Sequence, residues 1–221
     1  MKIGISLNNV LRDYFHQIED VYDKYFPKEE EDEEYDGLHI KDYDLEKWIE
    51  FPEEEVSQGE MEFNPDFNED SFMKSDETTE VVKKTEQVTL EEFLYERCTL
   101  EIFGYADEIG NSMEVINNLI LDYPDVEFVI MSRELGLSVP STYFFLSKTS
   151  CMCQNIKFVT DNKEHWNHVD IMVTDHPDIL SSKPEGKASI KVNWPHNENN
   201  NADWSINTIH ELPEKLNELM S

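Results

Sequence analysis

The chain has 221 residues, 38% of them hydrophobic and 11% aromatic, and its 49 acidic side chains against 18 Lys and Arg give a formal charge of −31. That apolar content supports a packed core, and the length allows one sizeable α/β core with an insertion, or two small domains. Charge of this sign and size repels phosphate backbones and anionic membranes, which excludes direct nucleic-acid and membrane partners and favours a protein partner with a basic surface.

No apolar run reaches membrane-spanning length, and Met1-Lys2 leads into a strand pattern rather than a signal peptide. Three cysteines, Cys98, Cys151 and Cys153, are an odd number. They point to free thiols and a cytoplasmic setting. Cys151-Met152-Cys153 supplies too few ligands for a zinc site, which takes about four.

Lys2-Ile3-Gly4-Ile5 reads as a buried strand. The polar turn Ser6-Leu7-Asn8-Asn9 follows. A helix is then predicted from Val10, with Leu11, Tyr14, Phe15, Ile18, Val21, Tyr22, Tyr25 and Phe26 on its apolar positions and Pro27 as its stop. Strand, polar loop and helix open a doubly wound α/β domain, whose site lies at the carboxyl ends of the strands.

Between Pro27 and Glu80 there are 22 Asp and Glu against four lysines, which places −18 of the −31 in one segment. The run Glu29 to Glu34 repels itself and extends. Tyr35, Tyr43, Leu45, Trp48, Ile49, Phe51, Phe63, Phe67 and Phe72 interrupt the acids every few residues. Such a mixture suits a strap that docks on a partner or on the chain's own core.

Thr89 is placed to cap a helix over Leu90–Arg97. Residues Leu100 to Ala106 read as packing. A helix is predicted near Ser112–Leu121, and a strong strand over Val126–Met131 ends at Ser132-Arg133. The helix Val139–Lys148 carries Pro140 in its first turn. Strands follow at Ile156–Val159, Val169–Val173 and Ile190–Val192, and a last helix at Pro213–Met220. The alternation predicts a doubly wound α/β fold with a mainly parallel five-stranded sheet. Residues 1–27 and 88–221 form its core, and 28–87 are an acidic, aromatic-containing insertion.

The opening stretch resembles the haloacid dehalogenase-like (HAD) superfamily, whose first motif is an apolar strand followed by Asp-x-Asp-Gly-Thr/Val and a pattern like Leu-Arg-Asp. Val10-Leu11-Arg12-Asp13 matches. Ser6 stands at the nucleophilic Asp, Asn8 at the acid/base Asp, and Asn9 at the Gly. The resemblance implies Ser132 as the phosphoryl-binding hydroxyl of the second motif and Lys148 as the third-motif lysine. It implies Asp175, with Asp170, as the magnesium acids of the fourth, and the insertion falls where the family places cap domains. Segments such as Leu100–Glu108 and Ser141–Thr149 are similar to small HAD-like proteins of tailed bacteriophages, which implies a virion or phage structural setting.

Family catalysis needs a carboxylate nucleophile and a second carboxyl acid/base, with magnesium between them. Ser6 and Asn8 supply neither acid. The expectation is therefore a non-catalytic HAD-like protein with no cofactor, acting through a protein partner. Asn9, Ser132, Arg133 and Lys148 are its candidate anion-binding residues. A magnesium-dependent phosphatase or 5′-nucleotidase is the second reading, and an acidic mimic of nucleic acid the third.

Overall fold

The computed structural model describes residues 1–27, 37–52 and 88–220. Five of its six strands follow the apolar runs: β1 (Lys2–Ser6), β2 (Glu127–Arg133), β3 (Ile156–Val159), β4 (Ile171–Thr174) and β5 (Ala188–Val192). The sixth, β6 (Trp204–Ile206), pairs Trp204 with Ile190 at the sheet edge. This corrects the five-strand expectation: three residues in an Asn- and Asp-rich stretch are too few to show a period. All neighbours pair in parallel, in the order β3-β2-β1-β4-β5-β6.

The chain leaves β1 for β2 and β3 on one side, then crosses to β4, β5 and β6 on the other. The reversal falls between β1 and β4, the switch point where doubly wound sheets open their crevice. Alternate strand residues enter two layers. Ile3, Ile5, Phe128, Ile130, Ile171 and Val173 pack beneath α3 (Ser112–Asp122), α4 (Ser138–Lys148) and α6 (Leu212–Met220). Val129, Met131 and Met172 face Trp166 and Ile179, the latter on α5 (Pro177–Ser181).

Gly4 is required by a close approach. A Cβ there would lie 2.7 Å from Met172 Sδ and 2.8 Å from Val169 Cγ1. Gly4→Ala is expected to cost about 1–3 kcal/mol by overpacking, read as a lower denaturant midpoint with unchanged m-value. A midpoint equal to wild type would contradict this contact.

The first helix, α1 (Tyr14–Tyr25), begins four residues later than its apolar pattern suggested. Leu11 and Arg12 amides both donate to the Leu7 carbonyl, so residues 7–12 form a tight loop instead. Asn9 sits in that loop with φ 55°, a left-handed conformation that Asn tolerates. Its Oδ1 accepts from the Phe15 amide at 3.1 Å and so satisfies a free donor of the helix start. Val10 and Leu11 consequently pack in the sheet core.

Helix α1 belongs to a separate apolar cluster. Tyr14, Phe15, Ile18 and Tyr22 meet Ile40, Leu45 and Ile49 from the acidic insertion, together with Phe93, Leu94, Ile102 and Phe103. The short α2 (Leu90–Glu92), capped by Thr89, continues into two wide turns, Phe93–Arg97 and Leu100–Gly104. These turns are closed by bonds five residues apart, Cys98 to Phe93 and Tyr105 to Leu100, so the regular helix predicted to Arg97 is underwound and widened. The described part of the insertion thus docks on the chain's own core. Tyr35, Phe63, Phe67, Phe72 and the run Glu29 to Glu34 lie outside the described residues.

Candidate functional site

At the carboxyl ends of β1, β2 and β4 lies a cavity of about 100 Å³. Ser6, Asn8, Ser132, Arg133, Tyr14, Tyr43, Tyr95, His165 and His176 are among the residues that line it. Three of the residues expected at the site, Ser6, Asn8 and Ser132, share one space.

Their polar groups are engaged internally. Ser6 Oγ donates to Thr174 Oγ1 at 2.7 Å, across the switch point. Asn8 Oδ1 accepts from Arg12 Nε at 3.0 Å and from the same guanidinium's Nη2. Ser132 Oγ donates to Glu134 Oε1 at 2.8 Å.

Arg12 and Glu134 are both fully buried, with 2.8 Å between Nη2 and Oε1. Arg12 Nη1 also donates to the Phe103 carbonyl and to Thr142 Oγ1, each at 2.8 Å. All five guanidinium N–H groups are thereby used. Glu134 Oε1 accepts from Arg12, Ser132 and Thr142, while Oε2 is buried without a partner among the described residues. One pair thus ties β1's loop, the end of β2, α4 and the second wide turn together.

Asp175 is fully buried beside the cavity rather than open to it. Tyr43 of the insertion donates its hydroxyl to both carboxylate oxygens, at 3.0 and 2.9 Å. His196 Nε2 lies 3.1 Å from Oδ2. The Tyr43 hydroxyl in turn accepts from Asn9 Nδ2 at 3.0 Å. Its ring stacks on His176 at 3.9 Å and meets Phe15 and His196 edge-on. Burial and the Asp175 charge push the Tyr43 hydroxyl well above its usual pKa.

Burial likewise raises the pKa of Tyr14 and Tyr95 and lowers that of His176. His165 is lowered to about 4 by burial, with Nδ1 donating to the Asn162 carbonyl at 2.9 Å. The lining named above is therefore neutral near pH 7, apart from Arg133. That guanidinium is exposed and makes no hydrogen bond or ion pair among the described residues.

The other expected site residues do not join this space. Lys148 Nζ donates to the carbonyls of Tyr105 and Ala106, at 3.1 and 2.8 Å, and so ends the second wide turn. Asp170 sits at the amino end of β4, where its carboxylate accepts from the Lys2 amide at 2.8 Å. Asn9 has both amide atoms engaged, by Tyr43 and Phe15. The four-residue anion nest is therefore not assembled: only Ser132 and Arg133 reach the cavity.

Magnesium does not fit these residues. Ser6 and Asn8 carry no charge, Asp175 is filled by Tyr43 and His196, Asp170 is at the far end of the strand, and Glu134 holds Arg12. Among the described residues no group of three or more His, Cys, Asp and Glu is placed to hold a metal. The three thiols are free, and burial raises Cys151 to about 11, which leaves it protonated and inert. Among the described residues no helix is long and apolar enough to cross a membrane.

Sequence reasoning missed Arg12, Glu134, Tyr43 and His196. Arg12 carried a signal, since an arginine inside a run of apolar helix positions needs a buried partner. Tyr43 and His196 carried none, because their roles depend on contacts 132 and 21 residues away in sequence.

No protein-family model matches the chain, and no curated protein matches it in sequence.

Proposed function

We propose that the chain is a HAD-like protein without catalysis, which acts by binding another protein whose surface is basic. The observation that carries this reading is Tyr43: a side chain from the insertion occupies the carboxyl end of the sheet and satisfies Asp175, which of the two acids that the family pattern would assign to metal is the one at that end. Around it the nucleophile position is Ser6, bonded to Thr174, and the acid/base position is Asn8, bonded to Arg12. An amide cannot exchange a proton near neutral pH, and loss of a general acid/base alone costs roughly a hundred- to ten-thousand-fold. What remains is a rigid frame with a strongly acidic surface, suited to basic partners.

Turnover of p-nitrophenyl phosphate and of nucleoside monophosphates with magnesium tests this. The expected result is a rate equal to the protein-free blank for both wild type and Asp175→Ala. Magnesium-dependent turnover that disappears in Asp175→Ala overturns the reading in favour of a phosphatase.

A further inference from the structure

Helix α4 buries Phe145 and Leu146 in the sheet core, yet part of its apolar surface faces outward. Its inward side carries Ser138, Ser141 and Thr142, all buried, because Thr142 completes the Arg12–Glu134 network and Ser138 caps its own turn through Leu135. Its outward side carries Tyr143 and Phe144, 49% and 45% exposed. Beside Phe144 stand Leu100 and Tyr105 of the second wide turn, 44% and 53% exposed, while Tyr143 meets Phe158 of β3 edge-on. Tyr105 and Phe144 meet edge-on with centroids 5.6 Å apart. Gly104 lets them close up, since a Cβ there would touch Leu100 Cδ1 at 2.7 Å and Phe144 Cδ1 at 3.3 Å. A continuous apolar patch of this kind marks an interaction surface.

The surrounding charge identifies the occupant. Residues 90–108 carry six carboxylates against one arginine; Arg97 is paired with Glu92, Glu101 with Lys24, and the ammonium of Lys148 is held by the carbonyls of Tyr105 and Ala106. Glu96, one turn ahead of Leu100, and Asp107, two residues beyond Tyr105, are exposed and without an ion pair among the described residues. A second copy would bring another −31 against this face. We infer that Leu100, Tyr105 and Phe144 form the docking surface for a cationic amphipathic helix of a partner protein. Its apolar stripe covers the three side chains, and its lysines or arginines meet Glu96 and Asp107. This rests on the reading above that the chain works by binding a protein of basic surface.

The test titrates a synthetic amphipathic helix made only of Leu and Lys into the full chain, with a scrambled peptide of the same composition as control. The expected result is slowed amide exchange at residues 100–105 and 143–144. The combined substitutions Leu100→Ser, Tyr105→Ser and Phe144→Ser should weaken the peptide at least about tenfold, with weak, equal binding of the scrambled peptide to both proteins. The exchange footprint is read on wild type and stands whether or not the variant folds. Protection elsewhere, wild-type affinity in the variant, or no binding of the peptide overturns the assignment. So does a wild-type dimer that the substitutions dissociate, which would make the occupant a second copy. Phosphate-ester turnover would remove the non-catalytic reading without moving the footprint, and a misplaced footprint without turnover removes only this surface.

Discussion

Arg12→Met is expected to lower stability by about 3–5 kcal/mol, the cost of leaving one partner of a buried ion pair uncompensated. For a chain of this length that corresponds to roughly 6–20 °C in Tm. The effect is large because Glu134 has no water to turn to: its residue is 4% exposed and its Oε2 already lacks a partner. Met keeps most of the volume, so the loss reports charge and hydrogen bonds rather than a void. Pairing Arg12→Met with Glu134→Leu should recover a large part of the loss, because the uncompensated charge disappears with its partner. The recovery is incomplete, since the Ser132 and Thr142 hydroxyls, which also bond to Glu134, lose their acceptor. A Tm within a degree or two of wild type for Arg12→Met, or additive losses in the double variant, would show that the pair is not coupled.

Acidification is the second large effect. His165 is 2% exposed and held neutral, with its pKa lowered to about 4 by burial. An unfolded histidine titrates near 6.5. Between about pH 6.5 and 4 the unfolded chain therefore takes up a proton that the folded chain refuses, and stability falls as pH falls. The gap is worth on the order of 3 kcal/mol, and below about pH 4 the slope from this group ends. His176, also lowered by burial, adds loss of the same sign.

Carboxylates whose pKa is lowered, such as Asp203 with its Lys183 partner, lose their contribution only at lower pH. Relief of the −31 self-repulsion works the other way as the chain nears its pI of 4.3. The measurement is therefore a difference: urea midpoints of wild type and His165→Gln at pH 7, 5.5 and 4.5. Gln can still donate to the Asn162 carbonyl, so the two curves should converge as pH falls. Parallel curves would mean that folding leaves the affinity of His165 for a proton unchanged.

Much of this architecture was legible because the strands are short apolar runs bounded by turns, and the helices repeat every 3.6 residues. The wide turns at 93–104 were not, because their apolar spacing fits an ordinary helix and only the five-residue hydrogen bonds distinguish them. Val10 and Leu11 misled for a related reason. They fit the periodicity of α1, yet the Leu7 carbonyl draws the chain into a loop before the helix begins. In the site, strand order correctly brought Ser6 and Ser132 together. The strand pattern also put Asp170 before β4 and Asp175 after it, but position along the chain could not tell that Tyr43 and His196 occupy the Asp175 carboxylate. Nor could it tell that Lys148 is held by the carbonyls of a neighbouring turn.

The place of β1 bears on how the chain folds. Its two neighbours are β2 and β4, with Lys2 opposite Glu127 and Ile3 opposite Ile171. The partner of Lys2 in β2 therefore lies 125 residues further along the chain, and the partner of Ile3 in β4 lies 168 residues further. Until those partners are met, Ile3 and Ile5 are bare sticky surface. Contacts so remote in sequence carry a large loop-closure cost and make folding slow.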